Sequence, residues 1–373
     1  MKKVSIFGST GCVGKKMFDA VAGSSGAFEV VCLAARSNYK ELVKQAMISR
    51  PQYISVEAKF VDAAKELLKG TNTTVLPNEE IKNLAQLEVD ILGMAISGIS
   101  GLIPSFHCLG HAATIALATK EVAVCGGQFF VNQAHEKNTR IIPVDSEHSA
   151  IYRCLENKDK NCINKIILTC SGGPFINYSR EQLETVTVQD SLNHPTWQMG
   201  GKITIDSATL INKALEIIEA AFLFDIEIEK VEAIIHKESM VHGMVQLGDS
   251  SIMALMGTPD MRIPINYAFA KYSEKDFKSD FKLESLSLSF QKFSDWQKEN
   301  VELAYEAYNE KKCIAFSVAD EMAVQEFLDN KIRFKDIPAF VRGKLKMSNS
   351  EKVSSISDII EICNGVLSLG KNR

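Results

Sequence analysis

Short apolar runs alternate with helical spacings of apolar residues through the first third of the chain. Residues 4–7 read as a buried strand, 15–22 as a helix and 30–35 as the next strand, and 40–48, 54–56, 58–68, 74–76 and 91–96 continue the rhythm. Strand–helix alternation of this kind predicts a parallel sheet covered on both faces, and 112–118, 122–125 and 141–144 complete that domain. The pattern changes after Pro143. A strand at 163–170 runs into the breaker Ser171-Gly172-Gly173-Pro174, and strands are expected near 231–235, 244–247 and 252–256. Between them a single helix is predicted from about 207 to 223, with Ser207 as its N-cap. Mixed strands with fewer helices predict an α+β region. Residues 275–294 are charged and serine-rich and read as a linker, while 300–369 carry three or four helical patterns expected to form a small bundle.

Composition narrows the class. A chain of 373 residues, 46% hydrophobic and 24% charged, buries a substantial core and suits two or three domains better than one. The net charge of −4 leaves no electrostatic footprint for nucleic acid, and no Lys/Arg block marks a membrane surface. The first residues imitate a secretory signal, but Gly8 and Gly11 break the apolar stretch and Lys15 and Lys16 end it. The longest apolar stretch, 91–104, is too short and too glycine-rich to span a bilayer. Nine scattered cysteines without a Cys-x-x-Cys pair are the usage of reduced thiols, so a soluble cytoplasmic protein is expected.

Chemistry enters at the first turn. Gly8-Ser9-Thr10-Gly11-Cys12-Val13-Gly14 follows the first strand and opens a helix. Glycines there let the backbone turn sharply and approach a pyrophosphate lying on the helix N-terminus. The spacing is a variant of the commoner fingerprint; alone it is weak, and a ligand-free tight turn is the alternative, but its strand–loop–helix context favours a dinucleotide. The second strand ends in Ala34-Ala35-Arg36-Ser37-Asn38, with no acid for the ribose hydroxyls of NAD. Arg36 suits a 2′-phosphate and so favours NADPH, against the plainer reading of a surface arginine.

Carboxylates supply a second constellation. If Asp145 and Glu147 are extended, their spacing points both the same way, and oxygen ligands suit Mg²⁺ or Mn²⁺. Taken alone, such a pair is more often a solvated turn. Asn212 and Lys213 share one helical face with Glu216, although a surface Lys–Glu pair would have the same spacing. Ser171-Gly172-Gly173 makes a nest suited to phosphate, or a plain Gly-Gly turn. His194, Trp197 and Met199 lie in a loop apolar enough for an active-site lid or for ordinary packing. His236 and His242 lie among apolar residues and read as satisfied core groups.

Together these segments resemble the 1-deoxy-D-xylulose 5-phosphate reductoisomerase family, the reductive isomerases of the non-mevalonate isoprenoid pathway. The resemblance rests on GSTGCVG at 8–14, PVDSEHSAI at 143–151, SGGPF at 171–175, HPTWQMG at 194–200 and KITIDSATLINKALEIIEA at 202–220, with HKESMVHGMV at 236–245 and TPDMRIPI at 258–265. It implies Asp145, Glu147 and Glu216 as ligands of Mg²⁺, Mn²⁺ or Co²⁺, and Ser171, Ser207, Asn212 and Lys213 as the substrate-phosphate site. Lys213 and the three carboxylates would be catalytic, Ser146 and His194 would also contact substrate, and Trp197 and Met199 would form the lid. Lys120, Glu121 and Gly200 join the glycine loop and 36–38 as implied cofactor contacts. Thr119 and Val122 depart from the family beside Lys120 and Glu121, as do Cys170 before the Ser-Gly-Gly turn, Ala214 in the metal helix and the segment 317–321.

The expectation is therefore an α/β protein with a Rossmann-like NADPH-binding domain over 1–144 and an α+β catalytic domain over 145–274. A linker at 275–298 and a C-terminal helical domain over 299–373 complete it. The implied reaction rearranges and reduces a phosphorylated α-hydroxyketone, by a retro-aldol/aldol route or a ketol shift, in a homodimer. A metal-independent dehydrogenase would need neither three converging carboxylates nor a phosphate nest. A non-catalytic NADPH sensor would bind cofactor without turnover.

Overall fold

A computed structural model describes residues 1–24, 26–193, 200–269, 284 and 286–369. The first third alternates as the apolar pattern predicts: β1 (Lys2–Phe7), α1 (Cys12–Ala22), β2 (Phe28–Ala34), α2 (Tyr39–Ser49), β3 (Tyr53–Val56), α3 (Val61–Leu67) and β4 (Thr74–Pro77). Then come α4 (Ile81–Leu84), β5 (Val89–Met94), α5 (Leu102–His107), β6 (Ala112–Leu117), α6 (Lys120–Glu136) and β7 (Arg140–Pro143). Beyond them lie α7 (Ser146–Leu155), β8 (Ile163–Cys170), α8 (Val188–Ser191), α9 (Gly201–Thr209) and α10 (Ile211–Leu223). The chain continues with β9 (Val231–Ile235), β10 (Val241–Leu247), β11 (Ile252–Met256) and α11 (Arg262–Ala268). Last are α12 (Asp295–Val301), α13 (Leu303–Asn309), α14 (Cys313–Leu328), α15 (Ile337–Met347) and α16 (Ile356–Ser368).

Among the described residues the chain divides into two compact units, 1–122 with 130–145 and 261–269, and 123–129 with 146–260 and 284–369. In the first, seven parallel strands run in the order β4-β3-β2-β1-β5-β6-β7. Strand order reverses direction beside β1, and a crevice opens at such a switch point, outside the carboxyl ends of the strands. Helix α11 returns to this unit and packs on α1, where Phe269 meets Phe28 edge-on at 6.1 Å. Strands β1, β2 and β5 have nearly continuous apolar burial, as expected of strands covered on both faces.

The second unit is built on a mixed sheet, β11-β10-β8-β9, in which β8 and β9 are parallel and β10 is antiparallel to both neighbours. Helix α7 packs on β10 and β11, while α10 packs on β8 and β9. Residues 313–320 of α14 are all buried, so this helix has no solvent face in its first half and serves as the hub for α13, α15, α16, α9 and α10. The single helix expected over 207–223 is two helices, because Leu210 takes a left-handed conformation at φ 64° and ends α9. Ser207 therefore lies inside α9 rather than capping a helix. All nine cysteines are free thiols. Among the described residues, no helix is long and apolar enough to cross a membrane.

His236 is the satisfied core group that its apolar setting predicts. Its Nδ1 lies 2.9 Å from the Ser289 carbonyl, and Nε2 accepts from the N–H groups of Met240 and Val241 at 3.1 Å each.

The start of α14 carries a titrating cap. The Glu351 carboxylate accepts the N–H groups of Ile314 at 3.0 Å and Ala315 at 2.7 Å. Burial nevertheless outweighs these donors and pushes the carboxyl from its ordinary 4.5 up to about 7. A raised folded value means that this contribution is complete below the unfolded value and is lost as pH rises through 7. Glu351 should make the protein more stable near pH 5 than near pH 8 by up to roughly 3 kcal/mol. Urea denaturation across that window checks this, and Glu351→Gln should flatten the slope.

Candidate active site

The glycine loop is locked by backbone contacts. After β1, the N–H groups of Gly8 and Ser9 both donate to the Ala34 carbonyl, at 2.8 and 3.0 Å. Gly8 has φ +84°, and a Cβ there would lie 2.3 Å from the Ala95 carbonyl oxygen. A Cβ on Gly14, in the first turn of α1, would lie 2.0 Å from the carbonyl oxygen of Gly8. No side chain fits at either position. Gly11 differs: it is the N-cap of α1 at φ −75°, and its nearest neighbour would be an ordinary 3.4 Å away.

Beside this loop lies a cleft of about 500 Å³ whose lining includes Gly8, Thr10, Gly11, Arg36, Glu57 and Asn78. Ser9 is fully buried; its hydroxyl donates to Gln45 Oε1 at 2.7 Å, and Gln45 Nε2 returns a bond to the Ser9 carbonyl at 2.9 Å. Its side chain therefore braces the loop. Cys12 and Val13 open α1, while Ser37 precedes Asn38, which caps α2 by accepting the Glu41 N–H. Arg36 donates to Glu57 at 3.0 Å. Lys59 and then Arg36 hold the Glu57 carboxyl below its usual range. Looking for an acid only at the end of β2 misses Glu57, which arrives from the end of β3.

Beyond the carboxyl end of β6 in the same unit, Lys120 opens α6 and its Nζ lies 2.9 Å from Asp145 Oδ2. Thr119 donates its hydroxyl to the Ile96 carbonyl at 2.6 Å, so this departure from the family ties α6 to the segment after β5. Glu121 is buried beside it.

Asp145 precedes α7, and the expected extended Asp145-x-Glu147 pair does not form. The helix begins at Ser146, which places Glu147 in its first turn, where the helix dipole favours a carboxylate. The Ser146 hydroxyl donates to Glu147. Within the second unit, the Lys213 ammonium donates to Glu147 Oε1 at 2.7 Å, to the Thr169 carbonyl at 2.6 Å and to the Glu216 carboxylate. Asn212 donates to the other Glu216 oxygen, as the spacing of four predicts. Lys213 and Glu216 are 2% and 1% exposed, which rules out a surface ion pair. Burial alone would strip the Lys213 proton, but Glu147 and Glu216 outweigh it and hold the ammonium charged well above its ordinary range. Oxygens of the two carboxylates lie within 4.8 Å of each other, and both accept from the one Lys213 ammonium. Hard oxygen donors grouped in this way fit Mg²⁺ or Mn²⁺.

Behind this pair stand two residues that motif reading passes over. His148 is fully buried, with Nε2 3.0 Å from the Glu216 carbonyl and 3.6 Å from the buried Glu219 carboxylate. Adjacent to Glu147 in the chain, it holds α7 against α10 and so sets one carboxylate relative to the other. The spacing of three between Glu216 and Glu219 is the one signal that both share a face.

The Ser-Gly-Gly turn closes on α9. Gly172 and Gly173 are left-handed at φ 85° and 68°, and a Cβ on Gly173 would lie 2.8 Å from the Ser207 carbonyl oxygen. The turn thus packs directly on the backbone of Ser207. The Gly173 N–H donates to Ser171 Oγ at 3.3 Å. Cys170, which departs from the family here, is half-buried, and desolvation pushes its thiol up to about 12. Ala214 is fully buried on α10. The structure brings Ser171 and Ser207 to one turn and Asn212, Lys213, Glu216 and Glu147 to one cluster. Gly200 is the N-cap of α9. His194, Trp197 and Met199 lie outside the described residues.

Three family profiles match the chain: 1-deoxy-D-xylulose 5-phosphate reductoisomerase over 4–127, the C-terminal domain of 1-deoxy-D-xylulose 5-phosphate reductoisomerase over 141–224, and the DXP reductoisomerase C-terminal domain over 256–366. The 1-deoxy-D-xylulose 5-phosphate reductoisomerase of Wolbachia pipientis subsp. Culex pipiens (strain wPip) is 41% identical over 97% of this chain and 95% of its own length. That of Thermoanaerobacter sp. (strain X514) is 39% identical over 97% and 96%. Among solved structures, a DOX-P reductoisomerase in complex with NADPH, fosmidomycin and magnesium superposes with a TM-score of 0.91 at 31% identity, covering 98% of this chain and 96% of that one. The Zymomonas mobilis enzyme in complex with NADPH gives 0.90 at 32%, covering 98% and 97%.

Lys213→Met should cost about 3–5 kcal/mol in urea denaturation, because it takes the ammonium from the buried Glu216 and the half-buried Glu147. Added Mg²⁺ or Mn²⁺ should recover part of that loss. Stability equal to the parent would overturn the ion-pair account.

Proposed function

The chain belongs to the 1-deoxy-D-xylulose 5-phosphate reductoisomerase family, and from that premise we propose the roles of its residues in the family's reaction. This is the NADPH- and divalent-metal-dependent rearrangement and reduction of 1-deoxy-D-xylulose 5-phosphate to 2-C-methyl-D-erythritol 4-phosphate, in non-mevalonate isoprenoid synthesis. The observation that carries the assignment is the buried Glu147–Lys213–Glu216 cluster, built from α7 and α10 beside the end of β8.

In this reading Asp145, Glu147 and Glu216 hold the cation. The clustered carboxylate donors and the position of Asp145 two residues before Glu147 support it. When bound, the cation supplies Lewis-acid polarisation of the substrate's adjacent carbonyl and hydroxyl oxygens, and NADPH supplies the hydride. Ser171, Ser207 and Asn212 bind the phosphate together with Lys213, whose charge survives its burial. That binding energy orients the reacting carbons from a distance. Ser146 joins the substrate site from the first turn of α7, and His194, Trp197 and Met199 are retained as substrate and lid residues.

The cofactor contacts are Gly8–Gly14, Arg36–Asn38, Lys120, Glu121 and Gly200, with Ser9 acting by bracing the loop through Gln45. Arg36 is assigned to the 2′-phosphate of NADPH, with Glu57 steadying its guanidinium. A cytoplasmic homodimer completes the reading.

Spectrophotometric NADPH consumption with deoxyxylulose phosphate tests it. Turnover is expected only with Mg²⁺ or Mn²⁺ present, and its absence with both metals overturns the reading. Glu216→Gln should lower turnover by at least about 100-fold while NADPH affinity stays within about two-fold, as expected for loss of a metal ligand.

A further inference from the structure

Helix α9 is held at both ends by side chains to which no role has been assigned above. Near its start, Lys202 Nζ lies 2.6 Å from Asp320 Oδ2 on α14 and 2.8 Å from Asp206 Oδ2 one turn along α9. Both carboxylates are fully buried, and the lysine side chain is 22% exposed. At the other end, Asn300 Nδ2 on α12 donates to the Thr209 carbonyl at 2.9 Å. A buried arrangement of two carboxylates on one ammonium is costly to desolvate and is poor evidence for stability as such. What it does is fix geometry, because each partner must meet the others at hydrogen-bond distance.

The element so fixed matters. Ser207 follows Asp206 directly, and its carbonyl is the surface on which the Ser171-Gly172-Gly173 turn closes. The left-handed Leu210 separates α9 from α10, which carries Asn212, Lys213 and Glu216. The clamp on α9 therefore acts on Ser207 without passing through the carboxylate cluster. We infer that Asp320, acting through Lys202, is a positioning residue for the phosphate-binding half of the site. This rests on the phosphate role of Ser207 proposed above.

Asp320→Ala leaves the Lys202–Asp206 pair in place and removes one buried carboxylate, so the variant should fold, with a melting temperature equal to or above the parent's. The KM for deoxyxylulose phosphate and the inhibition constant of inorganic phosphate should rise together by about ten-fold, because displacing a positioned binding group weakens binding steeply. In the same variant kcat should fall less than about three-fold, with the KM for NADPH and the Mg²⁺ activation constant unchanged, because uniform binding was lost rather than transition-state stabilisation. Asp320→Asn, which keeps an acceptor for Lys202, should restore most of the affinity. If the alanine variant does not fold, Asp320→Leu provides the same readouts with the volume filled. An unchanged KM in a folded variant overturns the inference, as does a fall in kcat and melting temperature that asparagine fails to rescue. An inactive parent protein would instead defeat the functional reading on which the inference stands.

Discussion

A single buried ammonium organises the second unit. Lys213 donates to a carboxylate on α7, to one on its own helix and to the last turn of β8 through the Thr169 carbonyl. Three elements are thereby fixed to one nitrogen. Removing that charge would leave two carboxylates facing each other in a low-dielectric interior, where repulsion is large. Neighbouring choices follow from this. Asn212 satisfies the remaining Glu216 oxygen, and His148 reaches across from α7 to the Glu216 carbonyl. The cluster is thus a structural joint before it is a binding site, and its grouped carboxylate oxygens are what suit a divalent cation.

The left-handed Leu210 gives this joint a neighbour that is mechanically separate. A left-handed leucine costs of order 1 kcal/mol or more and persists because its side chain is buried in the core. In exchange, two helices of different direction meet within one residue. One carries the serine against which the Ser-Gly-Gly turn closes; the other carries the carboxylate cluster. Reductive isomerisation of a phosphorylated ketose asks for this division, since the phosphate is held far from the carbons that rearrange.

Much of this was legible in the chain because apolar periodicity is strong where strands are buried on both faces. The parallel sheet of the first unit and the strands β8, β9 and β11 follow directly from it, though the order of the strands does not. The spacing of Asn212, Lys213 and Glu216 likewise foretold their hydrogen bonds. Junctions were not legible. Nothing in the residue types at 209–211 signals a left-handed break, so α9 and α10 read as one helix and Ser207 as its cap. The start of α7 at Ser146 turned an expected extended pair into a residue before a helix and one inside its first turn. Glu57 and Gln45 act from neighbouring elements, and their roles depend on parallel-sheet register rather than on local sequence. The triad of Lys202, Asp206 and Asp320 was hidden for the same reason, since Lys202 and Asp320 stand 118 positions apart in the chain.

The glycine loop finally carries an implication for how such fingerprints drift over time. Its three glycines occupy unequal positions: Gly8 and Gly14 are interlocked backbone to backbone, whereas Gly11 merely begins a helix with room beside it. The fold itself therefore demands Gly8 and Gly14, whereas Gly11 is demanded by the approach of a pyrophosphate to the backbone. A loop that ceased to bind cofactor would lose its middle glycine first and keep the outer two, six residues apart.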